Sequence, residues 1–115
     1  MRAFYGNLIN NCTLNGFKIS NIKQIINIGK ASQAENNFSN CGTGLNILNS
    51  NVTVTLSNFS SNFTGVFVTS SSGNKVSYKC EINGSGSSNN TFNQNNASDI
   101  YATGDYQRLI VKNCR

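Results

Sequence analysis

Residues 36–48, NNFSNCGTGLNIL, return 21 positions later as SNFSSNFTGVFVT over residues 57–69. Asn37, Phe38, Ser39, Thr43 and Gly44 recur as Asn58, Phe59, Ser60, Thr64 and Gly65, and Leu45 and Ile47 are answered by Val66 and Val68. Self-similarity at such a period marks a stacked-repeat architecture, in which one unit cannot bury its apolar face without its neighbours. With Phe38 and Phe59 as landmarks, the phrase extends to NCTLNGFKI around Cys12, to TFNQNNASDIYA around Phe92, and to Cys114. Gly16 then matches Gly42, Ile19 matches Leu45, and Ile100 matches after one inserted residue. The five landmarks Cys12, Phe38, Phe59, Phe92 and Cys114 are separated by 26, 21, 33 and 22 residues.

A second apolar set follows the landmarks at Ile26, Val52, Val76 and Leu109. The runs VTVTL (52–56), TGVFVT (64–69) and RLIV (108–111) are β-branched and partly alternating, which predicts strands. The Asn, Ser and Gly separators tolerate the left-handed backbone angles of turns. Each unit therefore reads as one coil of a β-solenoid, stacked on the next at about 4.8 Å so that equivalent residues form parallel ladders. Phe38 is expected over Phe59 in the interior, Cys12 and Cys114 as small apolar fillers at the same level, and Asn amides in ladders at the turns. The expected fold class is all-β, a single-stranded parallel β-helix of about four to five coils. Residues 1–115 form one domain or a segment of a longer β-helix, with a loop insertion near 83–90, where SGSSNN reads as a flexible loop. SNIKQIINIG (20–29) also places Ile22, Ile25 and Ile26 at helical spacing between Ser20 and Gly29. Its Ile content and the match of Ile26 with Val52 favour a strand.

The chain is polar without the signature of disorder, since charge is sparse and seven Phe and four Tyr are present. Its net charge of +5 comes from scattered basic residues, with no run that would serve nucleic acid. The charge implies solubility and a mild attraction to anionic surfaces or glycans. Four cysteines lack C-x-x-C spacing and no His is present, which argues against zinc, and no cofactor or metal is expected. The cysteines read as buried hydrophobes, with Cys12 and Cys114 too many coils apart to bridge. The opening MRAFYGNLINN has no continuous apolar run and reads as neither signal peptide nor membrane span. Eight Asn-x-Ser/Thr sequons reflect the abundance of Asn and Ser.

NNTFNQNNASDIYATGD (89–105) and NNFSNCGTGLNIL carry an Asn-x-Phe phrase followed by Asn or Gly and a Leu/Ile/Val run. This phrase resembles the right-handed parallel β-helix repeats of the pectin-lyase-like superfamily, which includes pectate lyases, polygalacturonases, phage tailspikes and surface adhesins. The resemblance covers nearly the whole chain and implies a right-handed coil with extended faces turned to polysaccharide. Fold alone does not assign a reaction. The aspartate cluster of the family's hydrolases and the calcium-binding acids of its lyases have no counterpart, because Glu35, Glu81, Asp99 and Asp105 are the only acids.

The candidate surface is DIYATGDYQR (99–108), in which Asp99, Tyr101, Asp105, Tyr106 and Arg108 combine aromatic faces with charged hydrogen-bonding groups. Asp99 and Asp105 are the candidate acids for any catalysis. A turn role for these residues competes with sugar binding. Thr43 and Thr64 beside Gly44 and Gly65 also sketch a short threonine ladder of the ice-binding kind. The leading expectation is an extracellular or virion-associated, tailspike-like or adhesin-like surface segment that binds and displays toward a polysaccharide or cell-surface glycan. Trimerisation, end-to-end assembly or a neighbouring domain would cover the open ends of the stack. The alternatives are a depolymerase with an intersubunit site and a structural subunit that assembles into a filament.

Overall fold

A computed structural model of the protein describes residues 2–70, 78–83, 89–104, 108–112 and 114. It contains thirteen short strands, numbered β1 to β13 in chain order, and no helix among the described residues. The first sheet stacks β1 (Arg2–Phe4), β4 (Ile26–Ile28), β7 (Val52–Val54), β10 (Lys79–Asn83) and β13 (Arg108–Lys112). The second stacks β2 (Leu8–Asn10), β5 (Asn36–Ser39), β8 (Ser57–Ser60) and β11 (Thr91–Asn93). The third stacks β3 (Asn15–Ser20), β6 (Thr43–Leu48), β9 (Thr64–Thr69) and β12 (Ser98–Thr103). Each pairing is parallel, and the chain visits the three sheets in turn before returning one strand higher. The protein is a right-handed parallel β-helix of four coils, with β13 entering a fifth; that hand is the rule for parallel crossovers.

Residues pointing inward build continuous ladders. Phe38, Phe59 and Phe92 are in register, and their rings stack at centroid distances of 4.9 and 5.1 Å with interplanar angles of 7° and 14°. Leu45 lies under Val66 and Ile100, and Ile47 lies under Val68 and Ala102. Ile28, Val54 and Ile82 form the corresponding ladder of the first sheet. Phe38, Phe59, Ile28, Leu45, Ile47 and Ile82 are fully enclosed. Burying each such side chain stabilises the fold by about 1.5–3 kcal/mol, so these ladders dominate the favourable side of folding.

The structure corrects the register of the outer units. Ile9, not Cys12, pairs with Phe38, so the first interior landmark is aliphatic. Cys12 lies three residues further on, at the level of Cys41, and is only partly buried. Cys114 bridges Asn90, two positions short of the level of Phe92. Phe17 rather than Ile19 pairs with Leu45, and Gly16 falls beneath Gly44 rather than Gly42. Cys80, not Val76, continues the ladder of Ile26, Val52 and Leu109; Val76 is outside the described residues. Each slip arose where coils differ in length and a sequence match cannot see which turn absorbed the extra residues. Residues 84–88 of the insertion expected near 83–90 lie outside the described residues, and the chain is also longer between Thr69 and Cys80 than between Leu48 and Val52. Over 20–29 no helix forms: Ser20 ends β3, residues 21–25 connect it to β4 at Ile26–Ile28, and the Ile22 amide donates to Ser50 Oγ at 3.0 Å.

Two devices close the turn between the second and third sheets. Asn11, Asn40, Ser61 and Gln94 occupy one corner level in successive coils, and all adopt left-handed angles, with φ of 59°, 54°, 56° and 55°. Beyond the corner, Gly16, Gly44 and Gly65 stack where a Cβ would stand within 2.7 Å of the carbonyl oxygen of the coil above. Only glycine permits that approach, which accounts for the recurrence of Gly44 as Gly65 in the sequence.

Asparagine amides then tie each coil to the one beneath. Asn62 Nδ2 donates to the Phe38 carbonyl at 3.0 Å, and its Oδ1 accepts from the Cys41 amide at 3.0 Å. Asn95 repeats this one coil higher, donating to the Phe59 carbonyl at 3.1 Å and accepting from the Asn62 amide at 3.1 Å. Asn36 and Asn90 make the same clamp before the second sheet, donating to the carbonyls of Phe4 and Val54 at 2.8 and 3.0 Å. Their Oδ1 atoms accept from the amides of Asn7 and Ser57. Asn36, Asn62 and Asn90 are inside the stack and Asn95 is partly buried, and all four satisfy backbone groups that the turns leave without a ladder partner.

Candidate functional site on the outer face of the third sheet

Alternation along β6, β9 and β12 turns Leu45 and Ile47, Val66 and Val68, and Ile100 inward, and it sends the residues between them out. One outward row therefore runs Lys18, Asn46, Phe67, Tyr101 up four coils in register. A second row runs Ser20, Leu48, Thr69, Thr103 beside it. The Phe67 and Tyr101 rings stack at 5.3 Å with an interplanar angle of 13°. Tyr101 is 50% exposed, and among the described residues its other ring face has no aromatic partner. An aromatic pair on a water-facing sheet surface, bordered by an amide and an ammonium, offers both stacking and hydrogen bonding to a polar ligand.

Among the described residues, those singled out in the sequence are spread over two sheets. Tyr101 is on this outer row. Asp99, two residues earlier, takes the level of Gly16, Gly44 and Gly65, and its Oδ1 accepts from Asn95 Nδ2 at 3.0 Å. Asp99 and Tyr101 are both exposed on β12, with Asp99 tied to the corner through Asn95. Arg108 begins β13 in the first sheet, paired with Lys79. Asp105 and Tyr106 lie outside the described residues. The remaining acids are also dispersed: Glu35 precedes β5, and Glu81 on β10 forms an ion pair with Lys79. Thr43 and Thr64 are stacked in register, but Asn15 and Ser98 occupy the levels below and above.

Phe67 escaped the sequence reading, although TGVFVT carried the signal. With Val66 and Val68 inward, the residue between them must point out, and a phenylalanine there is unusual enough to flag a surface role. On the first sheet, a groove of about 400 Å³ runs past Lys23, Asn51, Thr53, Lys79 and Glu81. Asn51 holds its wall, donating to the Lys23 carbonyl at 2.6 Å and accepting from the Lys79 amide at 2.8 Å. This groove brings two ammonium groups near one carboxylate but has no aromatic surface.

Cys80 is fully enclosed, and burial, followed by the nearby Glu81 charge, pushes its thiol up to about 12. It is a neutral packing group at physiological pH, as a buried thiol should be. Among the described residues, no helix is long and apolar enough to cross a membrane. The chain matches no family model, no curated protein and no solved structure.

Proposed function

We propose that this β-helix binds a glycan along the outer face of its third sheet, with Tyr101 as the stacking residue and Phe67 as its support. The stacked pair on a water-facing surface is the observation that carries this reading. A pyranose ring presents an apolar face of C–H groups to an aromatic ring and hydroxyls to its surroundings. Asn46 and Lys18 continue the row at intervals of about 4.8 Å, close to the length of one sugar residue along an extended chain. The protein acts by binding and display, and the pectin-lyase-like resemblance fits a tailspike-like or adhesin-like surface role.

Titration with a panel of neutral and acidic oligosaccharides, followed through the aromatic ring resonances of the intact chain, tests this reading. A binding oligosaccharide should shift the Tyr101 and Phe67 signals, and Tyr101→Ala should weaken its affinity roughly tenfold or more. Ring signals that stay still across the panel, or a Tyr101→Ala variant that binds as well as the parent, would reject it.

A further inference from the structure

The corner level occupied by Asn62 and Asn95 in the upper coils is occupied by Cys12 and Cys41 in the lower two. Cysteine is too short to make the asparagine clamp. What it offers is a second thiol directly beneath it. The two residues follow the in-register pairs Ile9 with Phe38 and Asn10 with Ser39, and the Gly42 amide donates to the Cys12 carbonyl at 3.0 Å. Backbones one coil apart at about 4.8 Å fall inside the Cα separation that a disulfide spans, about 4.4–6.8 Å. The Cys41 sulfur leans toward the lower coil, at 3.2 Å from the point where a Cβ on Gly16 would stand. The absence of a side chain at Gly16 leaves room for it there. Both thiols take the same local orientation, directed at the carbonyl two residues back, at 3.7 Å for Cys12 and 3.3 Å for Cys41.

We propose that Cys12 and Cys41 are an inter-coil cross-linking site, which an oxidising thiol reagent closes into a disulfide between the first two coils. The less buried partner, Cys12, starts the reaction. The Cys12 thiolate attacks one sulfur of glutathione disulfide and releases one glutathione thiolate. Cys41 then loses its proton to solvent and attacks the Cys12 sulfur, releasing the second glutathione. Two protein thiols become one disulfide, and one glutathione disulfide becomes two glutathione molecules. Burial raises the Cys41 thiol above its ordinary range, and the neighbouring Cys12 thiol adds to this. The link does covalently for the lower coils what Asn62 and Asn95 do through hydrogen bonds for the upper ones.

The reduced, folded full chain treated with glutathione disulfide provides the test, read by intact mass and by peptide mapping without reduction. The expected product has lost two hydrogens and two maleimide-reactive thiols, joins the peptides containing Cys12 and Cys41, and unfolds at higher urea until reductant is added. Cys12→Ser should abolish the cross-link and leave Cys41 unmodified. A glutathione adduct that persists on Cys12, or a disulfide that joins any other pair in the folded chain, would overturn the assignment. The mapping of the unsubstituted chain decides the matter even if the variant folds poorly.

Discussion

The corner between the second and third sheets and the connection between the first and second turn the chain between stacked strands in opposite ways. At the corner, Asn11, Asn40, Ser61 and Gln94 repeat one left-handed conformation, and after Ser61 and Gln94 the next residue, an asparagine, reaches into the neighbouring coil. In the connection, the second coil needs residues 29–35 to travel from β4 to β5, whereas the third needs only Thr55 and Leu56 to travel from β7 to β8. Positive φ angles occur there too, at Gly6, Gly29, Ser32 and Leu56, but only Gly6 and Leu56, in the two coils with equally short connections, share a level. The corner region varies by at most one residue between coils, and the larger differences in length fall in the connection and in the turn from the third sheet back to the first.

That contrast can be broken by moving length between the two regions. Two glycines inserted after Asn40 should cost more than about 3 kcal/mol, because the Phe38 ladder and the Leu45 ladder can no longer both stay in register. The same insertion after Ala31, in an exposed turn closed by the Gln33 amide on the Lys30 carbonyl, should cost less than about 1 kcal/mol. Urea unfolding of the two variants gives both numbers, and equal costs would show that the corner is not special. Asn62→Ala should cost roughly 2–4 kcal/mol by the same assay, since it leaves the buried Cys41 amide and Phe38 carbonyl without their side-chain partner. A loss below about 0.5 kcal/mol would mean that water replaces the clamp. The smallest effect is a gain: Ser61→Asn should stabilise by about 0.5 kcal/mol, since Asn accepts the left-handed region more readily. No change in the urea midpoint would mean that the serine is already unstrained.

The same contrast explains what could be read from the sequence. Coils two and three share their corner and carry no insertion between β5 and β9, so Phe38 with Phe59 and Leu45 with Val66 were legible to the residue. The single added residue before Ile100 was legible as well. Cys12 was set at the wrong level because an Asn-Cys pair can belong to the corner as easily as to the interior, and letters alone do not separate the two. Cys114 was misplaced for a related reason, a lone match with nothing after it to test the register. The outer row was less visible than the inner ladders. Alternation turns Phe67 and Tyr101 out on one face, but the bond from Asn95 to Asp99 depends on how the corner folds, which no side-chain pattern announces.

The asparagine clamps share a direction. Asn36, Asn62, Asn90 and Asn95 each bind backbone groups of the coil that precedes them in the chain. A ribosome delivers the coils in that order, so a newly emerged coil keeps its turn amides and carbonyls hydrated until the following coil arrives and seals them. Assembly of this protein is therefore polar in time as well as in space. A chain that has emerged only as far as Ser61 has the coil containing Phe38 still open, whereas one that has emerged past Asn95 can fasten the three coils beneath.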